Sequence, residues 1–218
     1  RATATIRRAS SGDTSGRSLL LVRHGRTVDN ARGLLLGRAD PELDELGRRQ
    51  AEAVGVAIAS GRFGPVAAVV SSPLRRAVGT AEAIGAPVLL DDRLLELDYG
   101  ELEGTPVLDV PAATWAAWQA DVEFCPAGGE SLAALGARVR DACSHWAAAV
   151  DRPGAVVLVS HVSPVKAAVA WALGVGDQIA WRTQLDNASI TQVLMRGNRP
   201  ALSLFNATEH LDGLAARS

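Results

Sequence analysis

Two apolar runs in this chain end on a histidine. Residues 18–24 read SLLLVRH and residues 155–161 read AVVLVSH, so His24 and His161 directly follow segments whose composition fits buried strands. A third run, VAAVVS at 66–71, leads into SPLRRA and sends Arg75 or Arg76 toward the strand end from the first turn of a helix. If these strands are neighbours, both imidazoles and an arginine share one crevice. Two histidines and two arginines at strand ends are hard to explain as packing. Planar guanidinium forks suit phosphate oxygens, although composition alone favours GC-rich coding as the reason that all 22 basic residues except Lys166 are arginine.

The elements that must position these groups can be read from periodicity. Ser18–Arg23, Val66–Ser71, Ala86–Leu90 and Ala155–Ser160 read as strands. Helices are expected over Asp44–Ser60 with Asp44 as N-cap, after Pro73 in a first turn, over Glu130–Val150, and over roughly Pro164–Leu173. The Glu130–Val150 segment places Leu132, Leu135, Val139, Cys143, Trp146 and Val150 at helical spacing. Strands and helices alternate, which predicts an α/β fold of three layers, α/β/α, with a mainly parallel central sheet. A ligand is then expected at the carboxyl ends of the strands.

The 218 residues, 48% of them hydrophobic, suffice for one domain whose core needs neither disulfide nor metal. We expect a flexible tail over residues 1–17 and one domain over 18–218. Cys125 and Cys143 read as free thiols of a reducing compartment, which together with the lack of a signal-like segment suggests a cytoplasmic location. A net charge of -2 argues against nucleic acid as a partner, and no apolar stretch is long enough for a bilayer. No metal is implied: His24, His145, His161 and His210 are widely separated, and HxH, HExxH and paired CxxC spacings are missing. No cofactor is implied either.

At LVRHGRTVDN the sequence resembles the histidine phosphatase superfamily, the phosphoglycerate-mutase-like fold. Further blocks follow in family order: GRADPELDELGRRQA, SSPLRRAVGTA, LLELDYGELEG, PAGGES and VSHVSPVKA. A lone RHG recurs by chance, whereas five ordered blocks covering nearly all of the chain after the tail are specific. The resemblance implies that His24 is the nucleophile that takes a phosphoryl group, that Arg23 and Arg75 grip its oxygens, and that His161 completes the pocket. Arg76 would point along another helix face, into solvent. Asn30 matches the asparagine that also reaches the phosphate, with an ordinary turn residue as the plainer reading. Glu96, third in LLELDYG, would protonate the leaving oxygen, in preference to Asp98 or Glu101, while Glu103 would cap or brace the loop.

Phosphatases and mutases of this family share that core. A phosphoglycerate mutase needs extra cations for a second anionic group, yet no Lys or Arg lies between Arg93 and Arg138. That stretch instead carries Trp115, Trp118 and Phe124, which can face a ligand or pack on the core as a helical stripe. The resemblance therefore favours a metal-independent phosphomonoesterase acting on a small-molecule phosphate ester. A 2,3-bisphosphoglycerate-dependent mutase and an inactive binding or regulatory domain are the alternatives, and a homodimer is compatible with the sequence. After His161 the SHVSPVK form departs from the family's SHGG and is similar to the α-ribazole phosphatase-like branch. Pro164 has no N–H to offer a phosphate.

Overall fold

The computed structural model describes residues 16–149, 153–197 and 199–214. The tail expected over residues 1–17 lies outside them except for Gly16 and Arg17, and Arg17 already opens the first strand. Val150, the expected end of the long helix, also lies outside.

Six strands form one sheet in the order β3-β2-β4-β1-β5-β6. Here β1 is Arg17–Arg23, β2 Val66–Ser71, β3 Val88–Leu90, β4 Gly154–Ser160, β5 Ile190–Arg196 and β6 Arg199–Ala207. The pairs β1–β4, β2–β4 and β2–β3 are parallel, and β5 runs antiparallel to both of its neighbours. The helices are α1 (Val28–Ala31), α2 (Glu45–Ala59), α3 (Arg75–Glu82), α4 (Ala112–Ala120), α5 (Leu132–Ala148) and α6 (Val162–Leu173).

Alternation along each central strand builds the three layers. Leu20 and Val22 of β1 join Val157 and Val159 of β4 on one face, where Val54 and Ile58 of α2 and Ala77 and Ala81 of α3 cover them. Leu19 and Leu21, with Val156 and Leu158, face the other way, toward Leu135 and Val139 of α5 and Val165 and Ala168 of α6. Strands buried on both faces explain why β1 and β4 read as unbroken apolar runs.

The helix starts follow local chemistry. Asp44 Oδ1 accepts the Gly47 N–H at 2.7 Å, and Ser131 caps α5 by accepting the Ala134 N–H at 3.1 Å. His161 is the N-cap of α6, which places Pro164 in the first turn, where a missing N–H is tolerated. Pro73 precedes α3 rather than entering its first turn; Leu74 is the N-cap. Strands β5 and β6 were not anticipated as elements, and α4 was foreseen only as one of two readings of Trp115 and Trp118.

Candidate active site

Register sets the site. Strands β1 and β4 are parallel neighbours with Arg23 opposite Ser160, so the next residues, His24 and His161, must lie side by side. The His24 N–H extends the ladder to the Ser160 carbonyl at 2.9 Å, and the ring centroids are 5.0 Å apart. Strand β2, on the far side of β4, contributes Ser72 from its own carboxyl end.

His24 is 3% exposed, and its Nδ1 lies 2.6 Å from the Gly25 carbonyl oxygen. A carbonyl can only accept, so Nδ1 carries the proton and Nε2 holds a lone pair. Burial, followed by the charges of Arg76 and Arg23, pushes the imidazole well below its ordinary range, which keeps it neutral at pH 7. The Gly25 N–H donates to Thr80 Oγ1 at 3.0 Å, and the Thr80 hydroxyl donates to the Arg76 carbonyl at 2.8 Å, tying this loop to α3. His161 is fully buried with Nε2 2.7 Å from Ser72 Oγ. Because Ser72 Oγ accepts the Leu74 N–H at 3.4 Å, its own hydrogen can go to Nε2, leaving Nδ1 as an N–H with no protein partner. Burial, then Arg76, holds His161 well below its usual range as well.

The two adjacent arginines stand opposite to their expected placement. Arg75 is 59% exposed and pairs with Glu42 on the surface. Arg76 is fully buried, donating Nη1 to the Ala39 carbonyl at 2.6 Å and Nη2 to the Gly37 carbonyl at 2.8 Å. The reason lies in helix phase: α3 buries Arg76, Ala77, Thr80 and Ala81, so the residue one step earlier faces away. Arg23 donates Nη1 to the Leu185 carbonyl at 2.6 Å. The Nε atoms of both Arg23 and Arg76 are buried without a protein acceptor, as is His161 Nδ1. Buried polar groups are ordinarily paired, so three unpartnered nitrogens around two imidazoles mark a place shaped for an anion.

Glu96 is 2% exposed at the edge of this group. Its Oε1 accepts the Leu97 N–H at 2.7 Å and the Ser163 N–H at 3.2 Å, while Oε2 accepts the Val162 N–H at 3.1 Å. The amides that follow His161 are thus directed at a carboxyl group. Burial raises Glu96 above the ordinary carboxylate range, against the pull of those N–H donors, Arg76 and Arg23. Glu103 braces the adjoining loop, accepting N–H groups of Gly37 and Arg38 at 2.8 and 2.9 Å. That loop supplies the carbonyls that hold Arg76.

Asn30 sits in α1, where its Oδ1 accepts the Thr27 N–H at 3.1 Å in a capping box, leaving its NH₂ end as the donor. Asn187 Nδ2 lies 3.4 Å from both that Oδ1 and the His24 carbonyl oxygen, which brings Asn30 to the histidine loop. Trp118 is fully buried and stacks on Trp115, with ring centroids 5.6 Å apart, so the first ring belongs to the core and only the second borders a surface groove with Trp181. Sequence reading missed Ser72 as a member of the site, and of the two arginines that the strand end left open the resemblance chose Arg75 where the fold brings Arg76; a serine immediately after a buried strand, and small residues at 77 and 81, were the available signals. Among the described residues, no group of three or more His, Cys, Asp or Glu side chains could hold a metal, and no helix is long and apolar enough to cross a membrane.

A bifunctional protein of Mycobacterium tuberculosis is 39% identical over 181 residues, covering 79% of this chain and 49% of its own length. The chain therefore spans about half the length of that relative. Phosphoserine phosphatase 1 of Hydrogenobacter thermophilus is 33% identical over 208 residues, 88% of this chain and 93% of that protein. The structure of a mycobacterial glucosyl-3-phosphoglycerate phosphatase complexed with VO3 superposes with a TM-score of 0.78 at 32% identity, covering 88% of this chain and all of the other. Residues 19–208 match the histidine phosphatase superfamily, branch 1, and the chain belongs to that family.

Proposed function

We propose that this chain hydrolyses a small phosphate monoester through a phosphohistidine at His24. The observation that carries the reading is the buried His24 with Nδ1 fixed by the Gly25 carbonyl and Nε2 free, set among Arg23, Arg76 and His161. In the first half-reaction His24 Nε2 attacks phosphorus, the ester P–O bond breaks, and the Glu96 carboxyl gives its proton to the departing oxygen. Arg23, Arg76 and His161 Nδ1 bind the non-bridging oxygens, with the Asn30 amide as a further donor. In the second, the Glu96 carboxylate takes a proton from water as that water attacks phosphorus, which releases phosphate and regenerates His24.

Two relatives named for phosphoserine and glucosyl-3-phosphoglycerate support a small organic phosphate as substrate. The absence of Lys and Arg between Arg93 and Arg138 supports hydrolysis over a bisphosphate-retaining mutase. The test is acid-free quenching with ³²P-labelled p-nitrophenyl phosphate. We expect phosphate release and an acid-labile, base-stable adduct, both lost in His24→Ala. Isomerisation of 3-phosphoglycerate that depends on 2,3-bisphosphoglycerate, with little free phosphate, would establish the mutase instead. Silence in both assays, with no adduct, would leave a binding domain.

A further inference from the structure

Glu96 lies in an irregular stretch, residues 95–99, that belongs to neither strand nor helix. Its main-chain carbonyls have no ladder to join, and a proton donor needs a fixed origin. Arg138, in the second turn of α5, supplies one. Its Nη1 donates to the carbonyls of Arg93 and Leu95, both at 2.7 Å, and its Nη2 donates to the carbonyl of Glu96 itself at 3.1 Å. The remaining donor directions are taken by Glu130, with Nε to Oε1 at 2.7 Å and Nη2 to Oε2 at 2.8 Å. Glu130 is in turn tied to the same loop, because its N–H donates to the Asp98 carbonyl at 2.9 Å. Both side chains are largely shielded from solvent, at 19% and 16% exposure.

We propose that Arg138, oriented by Glu130, is a positioning residue that fixes Glu96 for proton transfer; this rests on Glu96 being the proton donor assigned above. The geometry divides the work between two helices. Helix α6 holds the Glu96 carboxyl through the Val162 and Ser163 amides, whereas α5 holds its main chain through one guanidinium. Without the latter, the carboxyl remains tethered at its tip while its backbone is released, so its distance to a leaving oxygen is no longer set. A lysine retains the charge but cannot reach three carbonyls and a carboxylate at once.

The discriminating experiment compares leaving groups. A serine-type alkyl phosphate needs a proton on the departing oxygen, and p-nitrophenyl phosphate does not, so kcat/KM for the pair isolates the acid's placement. Arg138→Ala should lower kcat/KM for the alkyl phosphate about 100-fold, the scale of a 1 Å misplacement, and for p-nitrophenyl phosphate by less than about threefold. Arg138→Lys, which guards against a folding failure in the alanine variant, should show the same selective loss at about 10-fold. Inhibition by orthovanadate should stay within about twofold, showing an intact phosphate pocket. Equal loss on both substrates, no loss on either, or full rescue by lysine would overturn the clamp. Glu96→Gln serves as the reference: if it shows no leaving-group selectivity, the acid assignment fails, and that failure is separate from the behaviour of Arg138.

Discussion

Arg75 and Arg76 are neighbours in sequence but point about 100° apart around α3, and this angle decides which of them can meet an anion. Arg76 is buried with its Nε unpaired and its Nη atoms anchored on Gly37 and Ala39; Arg75 is on the surface with Glu42. Loss of one preorganised donor to a transferring phosphoryl group costs about 10²–10³ in turnover. Arg76→Ala should therefore reduce kcat/KM for p-nitrophenyl phosphate by that factor, while Arg75→Ala should change it by less than about threefold. A loss of less than about threefold in Arg76→Ala would show that Arg76 does not bind the phosphoryl group. The pairing of His24 with His161 was legible because each ends an apolar run, and parallel register then leaves them no choice but to be adjacent. The choice between the arginines was not legible, since an RR pair gives no helix phase until it is known which face Ala77 and Ala81 bury.

At the scale of elements, the loop after β1 is pressed against the start of α2. A Cβ on Gly47 would lie 1.9 Å from the Arg26 carbonyl oxygen, and one on Gly25 would lie 2.4 Å from the Gly47 oxygen. Both obstacles are backbone, so neither can swing aside. Gly47→Ala must push apart α2 and the strip carrying Gly25, whose carbonyl fixes the His24 tautomer. Overpacking of this kind costs about 1–3 kcal/mol, a fall in Tm of roughly 2–12 °C for a chain of this length. Activity should drop with it, and a variant with wild-type Tm and kcat/KM would refute this account. Strands β1, β2 and β4 and helices α2, α5 and α6 could be read from the sequence because each carries an unbroken or periodic apolar signal. Strand β6 could not: most of its residues are only partly buried, so neither alternation nor an apolar run stands out. Helix α4 showed only as one of two readings of Trp115 and Trp118, as only Trp118 among its nine residues is fully buried.

For the whole molecule, placing two neutral imidazoles at the centre of the sheet ties folding stability to pH. His24 and His161 are both held well below their unfolded value, first by burial and next by Arg76. Below about pH 6.5 the unfolded chain binds protons that the folded chain refuses, so stability falls as pH falls, by up to about 1.4 kcal/mol per unit for each histidine. His210, partly buried, shifts in the same direction. Glu96 acts with the opposite sign. Its raised folded value means that the native state binds a proton first, so it gains stability as pH falls from that value to about 4.5, the ordinary range, and offsets part of the loss. Two histidines against one carboxyl leave a net decline, a sizeable fraction of an ordinary domain's 5–15 kcal/mol. Urea unfolding at pH 7.5, 6.5 and 5.5 should show the midpoint falling little over the first interval and more steeply over the second, with the fall reduced in His24→Gln/His161→Gln. A midpoint unchanged down to pH 5.5 would mean that both rings take up protons inside the fold, and a His24 that is cationic near neutrality has no lone pair to offer phosphorus.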